Sequence, residues 1–367
     1  MGWTALSELV PLYPLYALLF LDTGLSAADV SLLFAAWSVT AVLTEVPAGA
    51  LADRWSRRGV LFLAGVLEAA AFAVWTVSPQ FSGFLAGFVV WGVAGALVSG
   101  TVEALVHDGL AEVGAEGFFA RVNGWMTSAE LLVQVPTAAA AGVLYALGGY
   151  ALVGWASAAV CLAWATLALR FPEAAREPDG ESLLGTLRSG VTETVRVPAL
   201  RLTVLAVALV GAMDAVEEYF PVLAGDRGVP TVAVPVVVLG ITLAGALGAA
   251  LGGRADRLPD RALSVLLLLA GVLLGAVAVV PGPGALGLVA VAYGLYLVVL
   301  VVAEARLQER IDSSRRATVT SVAGLGTELA ALLVFAAWAL GGVVAVGVLV
   351  VAVVPVVEAG LRRRPVS

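Results

Sequence analysis

The chain has 367 residues, of which 61% are hydrophobic and only 13% charged, far from the roughly 25% charge of a soluble domain. Its mean hydropathy of +1.01 marks an integral membrane protein. A net charge of −7 says little about partners when only loops are wet, and no nucleic-acid partner is expected; one cysteine and one histidine exclude disulfides, thiol catalysis and a His/Cys metal site.

A membrane-crossing helix needs about 20 apolar residues, and twelve runs of that kind follow one another: 4–21, 30–52, 59–77, 81–106, 122–147, 150–170, 200–223, 231–252, 262–280, 284–305, 317–340 and 342–360. They are continuous and about twice as long as the alternating strands of a membrane barrel, which excludes a barrel. No basic stretch or cleavage site precedes residues 4–21, so they read as a retained first span and not as a signal peptide. With twelve spans and both ends inside, 19 of the 20 arginines fall on the cytoplasmic side and Arg227 alone outside, as the positive-inside rule requires.

Charges and tyrosines inside the spans are the candidate functional groups, because an intramembrane carboxylate is costly and faces protein or water. Span 1 carries Tyr13 and Tyr16 at i, i+3. Glu45 in span 2 precedes Pro47, whose missing N–H leaves a carbonyl free, and is expected to be a buried, titrating carboxylate. Glu68 in span 3 faces its own bundle and receives no role, while Glu103 ends span 4 and Glu130 stands in span 5. The polar interval 171–198 joins a first bundle, 1–170, to a second, 199–367. Leu183, Leu184, Leu187, Val191 and Val195 give this linker either an interfacial helix on the cytoplasmic surface or a solvated connection. In span 7, Asp214, Glu217 and Glu218 stand at i, i+3 and i+4 and share one face of the helix. They are the densest acidic group within any span, and not all three can ionise cheaply in a low-dielectric site. The alternative is a polar rim of the outer mouth. Span 10 carries Tyr293, Tyr296 and Glu304, and span 11 Glu328.

Between spans 2 and 3 stands GALADRWSRRG, and between spans 8 and 9 GGRADRLPDRAL: Gly49, Asp53, Arg54 and Arg58 recur as Gly252, Asp256, Arg257 and Arg261, an offset of 203. DTGLS at 22–26 matches DRGVP at 226–230 (offset 204), and VEA at 102–104 matches AEA at 303–305 (offset 201). The halves are copies, and an even span number per copy gives parallel repeats about an axis along the membrane normal. Glu103 and Glu304, present in both copies, read as serving the fold by bonding helix ends or arginines such as Arg121 and Arg306, with ligand binding as the alternative.

The loop residues Gly49, Asp53, Arg54, Arg57 and Arg58, with Ser56 at the second glycine position, resemble the signature of the major facilitator superfamily, and the resemblance runs the length of the chain. It implies an all-α fold of twelve transmembrane helices in two six-helix bundles related by a pseudo-two-fold axis along the membrane normal, in the inner membrane of a bacterium with both termini cytoplasmic. Spans 1, 4, 7 and 10 would line the cavity. The loop would act as a conformational latch: Asp53 facing the start of span 11 near residues 316–320, and Arg57 or Arg58 pairing with Asp108. The alternative is that these charges only mark the cytoplasmic boundary.

No arginine lies in the middle of a span, so an anionic substrate meets no buried countercharge. Acids and aromatics suit neutral or cationic amphipathic molecules. Span 4 lacks the intramembrane arginine of many drug antiporters, and Pro136 stands where their glycine-rich motif would be. Three readings remain: a proton-coupled exporter of small amphipathic compounds, resembling bacterial drug and metabolite efflux proteins; an uptake carrier or uniporter for a neutral metabolite; and a non-transporting membrane subunit. No HExxH, metal-ligand pair or nucleophile–His pair suggests an enzyme. No cofactor is expected beyond a proton gradient as energy source; the partners are a small substrate and the bilayer, and the chain is read as a monomer.

Overall fold

A computed structural model describes residues 1–172, 198–255, 259–311 and 316–362. They are helical, with no strand among them. Among the described residues, seven helices are long and apolar enough to cross a membrane, and a shorter apolar helix covers Arg261–Ala276. Two of the seven, Phe119–Ala168 and Arg316–Leu361, each contain two of the expected spans. Span 4 breaks once, at Ser99–Gly100, where Gly100 has φ 68°; the remaining two spans, 1 and 7, are helical but interrupted over longer stretches, and this completes the set of twelve.

Span 1 consists of Gly2–Ser7 and Tyr16–Asp22 with turns between them. Pro11 and Pro14 stand in the gap and supply no N–H to the ladder. Side chains of other spans take up part of the freed backbone: Ser157 Oγ accepts from the Leu12 N–H at 3.0 Å, and Thr137 Oγ1 donates to the Glu8 carbonyl at 3.2 Å. Span 7 consists of Pro198–Gly211, a 3₁₀ stretch Ala212–Tyr219, and Phe220–Asp226 with Pro221 in its first turn. The breaks obey the repeat. Tyr16 and Asp22 bound the last helical piece of span 1, and Phe220 and Asp226, each 204 residues later, bound that of span 7; Ser7 and Gly211 end the first pieces at the same offset.

The chain reverses between spans 5 and 6 at Gly148–Gly149, and between spans 11 and 12 at Gly341–Gly342, 193 residues on. Gly149 has φ 62°, ψ −160° and Gly342 φ 58°, ψ −148°. This corner of backbone space is nearly closed to residues with a Cβ.

Among the described residues, the chain forms two compact units, the first holding residues 1–25, 36–172 and 231–236 and the second 26–35, 198–230 and 237–362. The first is built around an aromatic core, with Phe20, Phe72, Trp75, Phe84 and Phe88 fully buried. In the second, spans 8 and 10 cross so closely that a Cβ on Gly248 would stand 2.1 Å from the Gly294 carbonyl oxygen, an approach that glycine permits.

The two corners carry the first prediction. A Cβ at Gly149 or Gly342 would meet nothing within 4 Å, so Gly149→Ala and Gly342→Ala should each destabilise through the backbone alone, by about 1–3 kcal/mol. Thermal unfolding of the purified variants in detergent measures this, and a stability equal to that of the parent would refute it.

Candidate functional site

In the second unit the interrupted span 7 sets the site. A 3₁₀ helix has three residues per turn, so i and i+3 eclipse, and Asp214 and Glu217 stand in one line. The Tyr293 hydroxyl, from span 10, reaches both: it lies 2.9 Å from Asp214 Oδ1 and 3.1 Å from Glu217 Oε2. Tyr296, one turn on, donates to the Gly211 carbonyl at 3.4 Å, across the point where the α-helix gives way. Both tyrosine rings are buried, Glu217 is half-buried and Asp214 is exposed. The expected single face of three acids is therefore corrected. An α-helix would have grouped Asp214, Glu217 and Glu218, whereas the 3₁₀ winding turns Glu218 about 120° away from the other two. Met213, Val216, Phe220, Leu274, Val346 and Val350 form an apolar recess that also has Tyr293 and Tyr296 in its wall.

In the first unit the position 204 residues before Glu217 is Tyr13, in the break of span 1. Its hydroxyl donates to Glu68 Oε1 at 2.8 Å, and Glu68 is 7% exposed. Cys161 of span 6 adjoins the same carboxylate, and Glu8 and Glu130 are near enough to interact electrostatically with each other. Tyr16 is packed into the aromatic core against Phe20, Trp75, Phe88 and Trp91. Sequence reasoning passed over Glu8 and gave Glu68 no role. The signal for Glu8 was present, a carboxylate inside the first apolar run beside Pro11; for Glu68 it was not, since its partner Tyr13 lies 55 positions away.

Other expectations are corrected. Glu45 is exposed, not buried, and accepts from Ser99 Oγ at 3.1 Å; Pro47 is accommodated within the helix Ala27–Arg54. Glu103 and Glu304 are exposed, and the arginines expected beside them are engaged elsewhere. Arg121 lies over the Trp125 ring at 4.8 Å, and Arg306 donates to the Leu361 carbonyl at 2.6 Å. Glu304 and Arg306, two positions apart on one helix, point to different sides.

At the loop between spans 2 and 3, Asp53 and Arg54 close the helix Ala27–Arg54. Their side chains, like Asp256, Arg257, the side chains of residues 316–318 and the linker residues 173–197, lie outside the described residues, so neither the Asp53 contact nor the interfacial helix is described. Ser56, at the second glycine position, caps span 3 by accepting from the Gly59 N–H at 3.1 Å. Arg57 and Asp108 form an ion pair with side chains 14% and 34% exposed. Arg58 and Arg261 are exposed, and Gly49 is half-buried. Gly252 lies against Val301, where a Cβ would stand 2.8 Å from the valine Cβ.

The Arg57–Asp108 pair carries a second prediction. Single neutralisations, Arg57→Gln and Asp108→Asn, should each destabilise the protein, and the double variant carrying both should be destabilised by less than their sum, leaving a coupling energy of about 0.5–3 kcal/mol in a double-mutant cycle. Strict additivity would show the pair to be energetically silent.

The sequence model of the Major Facilitator Superfamily matches residues 1–335. Two uncharacterized MFS-type transporters of Mycobacterium tuberculosis are each 30% identical to the chain over 169 residues, 46% of this chain and 39% of theirs; the match thus spans about two-fifths of their length. Among solved structures the fold is shared with a nucleoside transporter, NupG, at 13% identity and a TM-score of 0.74, covering 97% of this chain and 95% of that one. It is also shared with a bacterial homologue of the lysosomal transporter Spinster, at 16% identity and 0.73, covering 98% and 93%, and with a D-xylose–proton symporter, at 15% and 0.67, covering 96% and 95%.

Proposed function

Because the chain belongs to the Major Facilitator Superfamily, we propose that it is a secondary carrier working by alternating access, which exports small neutral or cationic amphipathic compounds in exchange for protons. Its two six-span bundles, 1–170 and 199–367, move as a monomer in a bacterial inner membrane with both termini cytoplasmic, the orientation favoured by the arginine distribution.

The observation that carries this reading is the position of one hydroxyl between two carboxylates. Tyr293 lies within hydrogen-bonding distance of Asp214 and Glu217, but a hydroxyl has one hydrogen to donate. The second contact needs a hydrogen from elsewhere, either a proton on one of the carboxyls or an N–H of a bound cation. These two donors compete for one place, and such competition is the chemical content of proton–substrate exchange. Arg306, the first arginine of span 10, is ten residues past Tyr296, about 15 Å along a helix, so no guanidinium of that span reaches the site to take the role. The apolar recess beside the tyrosines suits the non-polar part of an amphipathic substrate.

The test is transport into proteoliposomes under an imposed pH gradient. Asp214→Asn and Glu217→Gln should each reduce concentrative transport about tenfold, the consequence of losing a charged hydrogen bond of about 1.5–3 kcal/mol, while substrate exchange at equal pH falls much less. Tyr293→Phe should give a smaller loss of the same kind, and Glu218→Gln a still smaller one because Glu218 is turned off that line. A triple-neutral variant that still concentrates substrate would overturn proton exchange at this site. Accumulation driven in the opposite sense by the gradient would favour the competing reading, uptake of a neutral metabolite.

A further inference from the structure

We propose that the 3₁₀ segment Ala212–Tyr219 of span 7 is a two-state switch: rewinding to α-helix gathers Glu218 with Asp214 and Glu217 and, in the same movement, releases Tyr219 from Ser31 and Trp338. The inference goes beyond the exchange reading, which concerns Asp214, Glu217 and Tyr293 in one winding only.

The segment has eight residues, whereas 3₁₀ runs longer than about three or four are uncommon, and such a stretch within a helix marks a hinge or a sequence under strain. Its burial follows the winding it has: Met213, Val216 and Tyr219, three apart, are buried, while Asp214 is exposed and Glu217 and Glu218 are half-buried. Its sequence suits the other winding. Met213, Val216 and Phe220 stand at i, i+3 and i+7 with the three acids between them, the pattern of an amphipathic α-helix. Pro11 and Pro14, in the break of span 1, correspond at the 204-residue offset to Ala215 and Glu218, two good helix formers that keep their N–H. The break in span 1 is written into the chain, and that in span 7 is imposed by its surroundings.

Side chains hold the 3₁₀ form at three points. Tyr296 bonds the Gly211 carbonyl at its start, and Tyr293 lies over the aligned Asp214 and Glu217. At its end Tyr219 is fully buried, its hydroxyl 2.8 Å from Ser31 Oγ and its ring stacked on Trp338 with centroids 4.0 Å apart and planes 13° from parallel. Ser31, Tyr219 and Trp338 all belong to the second unit. Each residue that passes from 3₁₀ to α turns about 20° less and rises about 0.5 Å less. Four steps from Asp214, Glu218 comes round by about 80°, to within about 40° of Asp214; five steps on, Tyr219 turns about 100° away from Trp338 and Ser31. The α form crowds three carboxylates onto one face, where they repel one another unless positive charge joins them. Tyr293, Tyr296 and Glu304 of span 10 and Tyr219 also interact with these acids and bring no positive charge. Uptake of positive charge at the acids and release of the Tyr219 contact are thus one event.

The chain has three methionines, so labelling the methionine methyls with ¹³C lets NMR follow Met213, assigned through Met213→Leu. Met213 lines the recess beside Tyr293 and Tyr296 and reports the winding through their ring currents. Glu218 and Tyr219 are five and six residues away, about 10 and 12 Å along a 3₁₀ helix, so a change there reaches Met213 through the winding. Glu218→Gln removes one like charge from the gathered acids, and Ser31→Ala removes the hydroxyl that meets Tyr219; each should raise the ratio of α to 3₁₀ form about two- to tenfold. In purified protein the Met213 signal should move along one line in both variants and further in the double variant, with exchange broadening on the microsecond to millisecond scale of helix rearrangements. Thermal unfolding confirms that each variant is folded. A Met213 signal unmoved in either variant would show a fixed 3₁₀ segment, and shifts in unrelated directions would show local repacking; both would overturn the proposal. Failure of the exchange reading is distinguishable, because it is read from transport by Asp214→Asn and Glu217→Gln and leaves the Met213 shifts as they are.

Discussion

Inside hydrocarbon every backbone N–H and C=O must find a partner within the protein, which is why membrane spans are helices. Among the described residues this chain meets that constraint mostly by ordinary helical hydrogen bonding; it departs from it briefly at Ser99–Gly100 in span 4 and over longer stretches in spans 1 and 7. Spans 1 and 7 unwind at 204-residue spacing, and the departure costs free energy unless other side chains supply the missing partners. Ser157 and Thr137 do so for span 1, and Tyr296 for span 7. Each partner comes from a neighbouring span, so the unwound segments are stable only as parts of the assembled bundle. The candidate functional side chains cluster there because a broken helix presents side chains and carbonyls that a continuous helix would spend on itself.

The same constraint governs where charge can stand. Glu68 is buried yet bonded to Tyr13, and Asp214 and Glu217 share Tyr293; in both units a phenol hydroxyl meets an intramembrane carboxylate. A guanidinium would neutralise the acid permanently, whereas a phenol donates a hydrogen bond without neutralising it. The arginines do their work at span ends. Arg306 and Arg310 together reach the carbonyls of Gly360, Leu361 and Arg362, where a helix C-terminus has unsatisfied acceptors and negative partial charge, and Arg57 pairs with Asp108.

Hydropathy made the twelve spans legible because each one's apolar length is a local property of sequence, and the DRWSRR and DRLPDR loops disclosed the repeat. The two breaks were less legible. Pro11 and Pro14 announce the first, yet Pro47, Pro136 and Pro355 lie within helices, so proline alone does not tell a break from a tolerated kink. The 3₁₀ stretch Ala212–Tyr219 has no proline inside it and only Pro221 following, and the face shared by Asp214, Glu217 and Glu218 was misjudged by the difference between 3.6 and 3.0 residues per turn. The Tyr13–Glu68 contact depends on how separate spans lie against one another, a property that no single run of residues carries.

The two copies agree in backbone and disagree in chemistry. The glycine corners after spans 5 and 11 have nearly the same φ and ψ, since only glycine can make that turn and neither copy had another solution. At the breaks the copies are free to differ. Tyr13 and Glu217 occupy corresponding places, so in one copy the interrupted span brings the hydroxyl and span 3 the carboxylate, while in the other the interrupted span brings the carboxylate and span 10 the hydroxyl. The repeat thus determines where a polar group can be held within the membrane and leaves open which polar group it is. A carrier built from two such copies can change what it recognises by exchanging side chains at the breaks, without altering the helical frame that holds them.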